Sequence, residues 1–267
     1  MLRPVTAADI SHLIEQSEMD YMKDRMLAIQ EREGNPEGIE IKEIDTCLLL
    51  YSRTMAWGQF NNVKGPFTEE HIPEISRFFD ERNRNFEFHV APHHDRNILR
   101  ALAENGYFQA SFHGCLYGEP RQLAANRPSR LLHIRELRED EMEIYAEIHC
   151  LGTGLPLDGK AYVAANNKVL YGRKGWHFFI GFAEDQPASV SVMYMKDKIA
   201  SFTFAATLPQ FRGRGFHTQM LQQRLEVCAQ HNCHLVVAQA AYGSQSMKNM
   251  ERAGLRIGYT RANWVKI

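Results

Sequence analysis

No stretch of this chain approaches the roughly 20 consecutive apolar residues that span a bilayer, which excludes a membrane-spanning helix. The opening run, Met1-Leu2-Arg3-Pro4-Val5-Thr6-Ala7-Ala8-Asp9, lacks the apolar core of a secretory leader. Cysteine is sparse: there are five, an odd number, scattered and without a CxxC pair. A secreted disulfide framework is therefore excluded, and a reducing, cytoplasmic compartment is expected. Charge of one sign is also lacking, because 31 Lys and Arg against 32 Asp and Glu leave a net −1. Nothing electrostatic favours a nucleic-acid partner. What remains is an ordinary globular composition, 44% hydrophobic and 24% charged, in 267 residues, enough for one large domain or two smaller ones.

Two halves are expected, 1–120 and 131–267, joined by a polar stretch with Pro120 and Pro128 and no sustained apolar period. The first half reads as mixed α and β. Ile10, Leu13, Ile14, Met22, Met26 and Ile29 predict an amphipathic helix, or two, over 8–30. Strands are expected at 46–52, 86–91 and 107–117, with helices after Thr68 and after Asp95, the second ending at Asn105-Gly106. No chemical motif stands out there.

The second half is more readable. Strands are expected at 131–135, 176–183, 188–195 and 199–208, with a helix over 140–149 and a hairpin turn at Lys196-Asp197-Lys198. Along the 199–208 strand, simple alternation places Phe202, Phe204 and Leu208 on one face and Ser201, Thr203, Ala205 and Thr207 on the other. Next come Pro209-Gln210-Phe211-Arg212-Gly213-Arg214-Gly215-Phe216-His217-Thr218 and a helix whose apolar face is Met220, Leu221, Leu225, Val227 and Cys228. Gln219, Gln222, Gln223 and Glu226 read as its polar side.

A strand, a glycine turn and a helix start make an anion site for a definite reason. The first helical N–H groups have no intrahelical partner, the macrodipole is positive there, and glycine lets a phosphate approach the backbone. The two residues after Gly215 narrow the choice of phosphate ligand. Phe216-His217 in place of Lys-Ser/Thr excludes a P-loop, and Thr218 in place of a third glycine argues against a dinucleotide fingerprint.

Gln210-Phe211-Arg212-Gly213-Arg214-Gly215 resembles the Gln/Arg-x-x-Gly-x-Gly/Ala motif of the GNAT acyltransferases, whose loop cradles the pyrophosphate of acetyl-CoA. A second register, starting at Arg212, puts His217 where Gly or Ala is usual. The resemblance runs from Leu131 to Ile267. It takes in a strand at His234-Leu235-Val236-Val237-Ala238-Gln239-Ala240, which should splay from the previous one, and a helix closing at Ala253-Gly254-Leu255. It implies an α/β GNAT fold with a mostly antiparallel central sheet. The helix, Asn105-Gly106-Tyr107-Phe108 and strand that close the first half are similar to the end of the same fold, which suggests two tandem copies, the first without a cofactor loop.

By the same resemblance, Arg212, Gly213, Arg214, Gly215, Phe216, His217 and Thr218 hold the pyrophosphate. The strand end at Ala205, Ala206 and Thr207 holds the pantetheine arm, and Asn249 on the last helix adds a cofactor contact. The implied reaction is direct attack of a small-molecule or peptide amine on acetyl-CoA, with a backbone N–H near Ala205 or Ala206 stabilising the oxyanion. One departure bears on mechanism: where many relatives carry a proton-donating tyrosine this chain has Met250, and Tyr242 is the substitute candidate. The rival reading is a non-catalytic acetyl-CoA-binding sensor or scaffold; a third, an ATP-binding protein, is opposed by the missing lysine.

No metal is expected. Cys228, His231, Cys233 and His234 meet no established zinc spacing. His89, His93 and His94 read as residues of a solvated loop with Asp95 as helix cap, and Glu136, Glu139, Asp140, Glu141 and Glu143 as an exposed helix start. Acceptor specificity is assigned to loops between Leu151 and Lys174, where no motif is visible.

Overall fold

The structure is a computed structural model, described here for residues 6–124 and 131–267. Residues 125–130 of the expected connecting stretch lie outside the described residues; its first part forms a short helix, α4 (Pro120–Leu123). Contacts divide the chain into two units. One comprises the residues through Cys115 with Ala240–Tyr242 and Ile257–Ile267; the other comprises Leu116–Gln239 and Gly243–Arg256. The division thus runs through strands and returns the C-terminal segment to the first unit, whereas the sequence suggests a cut at the polar stretch.

In the first unit, α1 (Ala7–Gln30) is one continuous helix rather than two, opened by a reciprocal Thr6–Asp9 capping box. The sheet runs β1 (Ile39–Ile44), β2 (Cys47–Ser52), β3 (Asn62–Lys64), β4 (Glu87–Val90), β11 (Arg256–Lys266), β5 (Tyr107–Gly118). Only β3 and β4 are parallel among the pairs β1–β2, β2–β3, β3–β4 and β4–β11. Helices α2 (Ile72–Asp80) and α3 (Asn97–Glu104) contribute Ile72, Ile75, Phe78, Phe79, Ile98 and Leu102 to an aromatic-rich core. Within it Phe79 stacks on Phe86, ring centroids 4.0 Å apart.

The first unit also buries charge. Glu18 of α1 accepts from Lys64 Nζ at 2.6 Å and from Arg261. Burial pushes the Lys64 ammonium down to about 8 while Glu18 opposes that shift. The histidines expected on a solvated loop are interior: His89 and His94 are buried, and His93 is only 11% exposed at its side chain. Asp95 does serve the turn into α3, accepting from Asn97 N–H at 2.8 Å.

In the second unit the strand order is β10 (Leu235–Ala241), β9 (Ile199–Thr207), β8 (Gln186–Lys196), β7 (Trp176–Ala183), β6 (His133–Glu136). β6–β7, β7–β8 and β8–β9 are antiparallel; β9–β10 is parallel, connected through α7 (Phe216–Gln230). The β8–β9 turn takes positive φ at Asp197 and Lys198, the conformation a tight hairpin requires. Helices α5 (Met142–Thr153) and α8 (Gln245–Arg252) complete the expected set. The 151–174 region is not all loop, because it forms α6 (Lys160–Lys168), which packs on α5. The acidic helix start is not all exposed either. Glu141 is buried by bidentate bonds from Arg135 at 2.6 and 2.7 Å and by Arg138. No helix among the described residues is long and apolar enough to cross a membrane.

Candidate active site

The site is built where β9, the glycine loop and α5 meet. Gly213 and Gly215 have φ of 78° and 76°, left-handed values that side chains with a Cβ resist. A Cβ at either would meet nothing within 4 Å, so conformation and not crowding demands glycine there. Gly215 is the residue before α7 and brings no side-chain cap. The first-turn amides of Phe216, His217 and Thr218 lie ahead of the first intrahelical bonds. Arg214 is exposed, its guanidinium 5.4 Å from the Phe211 ring centroid. Arg212 is committed: its Nη2 donates to Gly152 O at 2.8 Å and ties the loop to the end of α5. His217 is held neutral, since burial pushes its pKa down to about 4 with Arg224 adding to the effect.

The second feature is an interruption between strands. The parallel β9–β10 ladder runs from Ile199↔Leu235 to Phe202↔Ala238 and stops there, while β9 continues to Thr207. The splay expected from the sequence begins at Thr203. It coincides with a bulge, for Val192 faces Phe204 and Met193 faces Phe202, leaving Thr203 as the extra residue. The bulge breaks the simple alternation read from the sequence. Phe202 lies under Arg224 of α7, 4.3 Å from the guanidinium, whereas Phe204 stacks on His149 of α5 at 4.0 Å.

Arg224 is a buried cation of this region that helix periodicity does not single out. It is 1% exposed, and burial lowers its pKa to about 9, still cationic at neutral pH. Its Nη1 donates to Val192 O and Phe204 O, both at 3.3 Å, so it fills the bulge. A trans peptide points its C=O and N–H in opposite directions. Anchoring Phe204 O therefore turns the Ala205 N–H away from Arg224. Gln219 and Gln222, read as a polar face, are buried as well. Gln219 Oε1 accepts from Leu131 and Leu132 N–H at 2.7 and 3.0 Å, and Gln222 donates to Ala124 O at 2.9 Å.

Ala206 packs directly beneath α5. A Cβ at Gly152 would lie 2.7 Å from the Ala206 Cβ and 3.3 Å from Thr207 N and O. Gly152→Ala, which ordinarily stabilises a helix, is expected here to destabilise by about 1–3 kcal/mol through overpacking. Chemical denaturation checks this; unchanged stability would mean α5 stands off β9. Thr207 Oγ1 is engaged by Ser189 Oγ at 2.9 Å.

His149 was legible only as a helix residue, and the structure gives it an environment. It is half-buried, with Nδ1 3.4 Å from Tyr145 Oη, which donates to Asn167 Oδ1 at 3.3 Å. The Asn167 amide donates to Val163 O at 2.8 Å, which fixes its oxygen toward the tyrosine. The Nδ1 edge of His149 thus faces Tyr145, and the Nε2 edge lies on the opposite side of the ring.

The remaining expected residues are less concentrated. Asn249 sits on α8 with its Oδ1 accepting from Gln245 at 2.9 Å and Arg252 at 3.3 Å. Met250 is buried. Tyr242 is 59% exposed and belongs to the first unit, its N–H donating to Phe112 O at 3.0 Å.

No family model matches this sequence, and no curated protein matches it. Solved structures do. A GCN5-related N-acetyltransferase from Kribbella flavida is similar over 91% of this chain and 95% of its own, TM-score 0.64, at 15% identity. A GCN5-related N-acetyltransferase from Sphaerobacter thermophilus is similar over 99% and 94%, TM-score 0.60, at 11% identity. A tandem GNAT protein from the clavulanic acid biosynthesis pathway is similar over 73% and 67%, TM-score 0.58, at 13% identity. With a mostly antiparallel α/β architecture, a parallel pair that parts at a bulge, and a glycine loop entering the helix between them, this chain has the GNAT N-acetyltransferase fold.

Proposed function

We propose that the protein transfers an acetyl group from acetyl-CoA to an amine, and that its two halves are tandem copies of which only the second kept the cofactor loop. The observation that carries the reading is the β9–β10 ladder ending at Phe202 on the same strand that leads into the Gly213–Gly215 turn. An anion cradle and a slot with free strand-edge amides then lie in succession. That suits a ligand with a pyrophosphate and an amide-bearing arm.

The residues fit that group. First-turn amides of Phe216, His217 and Thr218, with Arg214 beside them, would hold the pyrophosphate; neutral His217 brings no charge of its own. The edge at Ala205, Ala206 and Thr207 would hold the pantetheine amides, with Asn249 as a further contact. Bound acetyl-CoA supplies an activated acyl group. The chain's own work is positioning and proton transfer. Ala205 N–H, turned outward because Arg224 anchors Phe204 O, offers a preorganised donor for developing negative charge. His149 Nε2, with the ring oriented by Tyr145 and Phe204, accepts the proton of the attacking amine. Tyr242 is the remaining candidate for the proton donor.

Buried Met250, which has no proton to give, favours one other reading, a binding protein without turnover. Two measurements decide. Acetyl-CoA should raise Tm in a concentration-dependent way, because it binds only the native state. ATP and NAD should not, and equal stabilisation by ATP would remove the CoA reading. A panel of amines assayed by thiol release should then find an acceptor; tight binding with no release from any amine would establish the sensor.

A further inference from the structure

We propose that Glu15, His93 and His94, with His12 at the rim, form a binding site in the first unit for a divalent transition-metal ion, zinc being the best chemical match. Glu15 Oε2 lies 2.7 Å from His93 Nε2, and Oε1 lies 2.8 Å from His94 Nε2. One ligand atom from each of the three residues falls within 4.8 Å of the others. Two imidazoles and one carboxylate are the donor set that zinc and non-haem iron sites use when they keep a position open. His12, one turn before Glu15 on α1, has its ring centroid 4.3 Å from that of His93 and is exposed. It is placed to take the fourth position or to yield it to water.

Two further observations favour an ion over a purely structural cluster. First, the nearby cations are spent elsewhere. Lys64 and Arg261 both engage Glu18, and among the described residues only the two imidazoles engage Glu15. Second, the site is framed by rings, Phe67 6.1 Å from His94 and Tyr259 5.8 Å from His93, which lower the local dielectric and strengthen charge–ligand attraction. Little rearrangement is needed. Tetrahedral ligands at ~2.1 Å from zinc stand ~3.4 Å apart, so the present 2.7–2.8 Å contacts open by about 0.6–0.7 Å.

The test uses the full chain stripped with a chelator and then titrated with Zn2+ or Co2+. One equivalent of Zn2+ should bind and raise Tm. Co2+ should give visible d–d bands without a thiolate charge-transfer band. Glu15→Gln, which keeps the shape, and His94→Gln should each weaken binding by about 10²-fold or more, and exposed His12→Ala by about tenfold. Circular dichroism establishes that each variant is folded, and the stripped wild type carries the test should a buried variant not fold. The proposal is overturned if stripped wild type takes up no stoichiometric Zn2+, if folded Glu15→Gln binds as well as wild type, or if a thiolate band moves the ion to Cys228 and Cys233.

Discussion

A chain carrying Gly213→Asp and Gly215→Asp is expected to bind coenzyme A at least about 10²-fold more weakly than wild type while remaining folded, a difference of roughly 2.7 kcal/mol or more. Both positions have positive φ, and a non-glycine residue there costs about 1–2 kcal/mol, somewhat less for Asp and Asn, which tolerate the left-handed region best. Crowding adds nothing, since a Cβ at either position meets no atom within 4 Å. What Asp adds is a negative charge in front of the α7 N-terminus, where the pyrophosphate would be held. The matched pair Gly213→Asn, Gly215→Asn carries the same backbone strain without the charge. It should keep much of the affinity the Asp pair loses. Calorimetric titration with CoA reads the contrast; equal losses would make loop conformation the cause, and no loss in either would place the phosphates elsewhere.

The second large effect is expected at His149. His149→Gln should lower kcat by about 10²–10³-fold, the range of a positioned general base, with KM for acetyl-CoA within about twofold of wild type. Tyr242→Phe, run alongside, removes one hydroxyl. A fall of about 10²-fold assigns it the acid, whereas a change of under about tenfold leaves the thiolate to depart unprotonated, as its acidity allows. Full activity in His149→Gln would exclude it as the base.

Local chemistry made the second half of the chain legible. Gly213 and Gly215 stand between an alternating strand and an amphipathic helix, and the order of strand, turn and helix follows from periods of 2.0 and 3.6 together with the need for positive φ at the turn. The hairpin at Asp197-Lys198 came from the same reading, and the splay from the resemblance to the GNAT fold. Alternation failed at Thr203, because a bulge is a relation between two strands and neither strand's own sequence announces it.

The chemistry away from the loop was decided by tertiary contacts. Arg224 belongs to neither the apolar nor the polar set read along its helix. Only the packing of α7 over the bulge turns it into a buried guanidinium holding two carbonyls. His149 gained a stacking partner in Phe204, 55 positions along the chain. His93 and His94 meet Glu15 across nearly 80 residues, where composition suggested a solvated loop. By itself the sequence determined most of the elements and the glycine turn into α7, whose causes lie within a few residues. The tertiary structure decided which side chains lose water and face one another, because burial and proton-sharing partners depend on what the rest of the chain brings alongside.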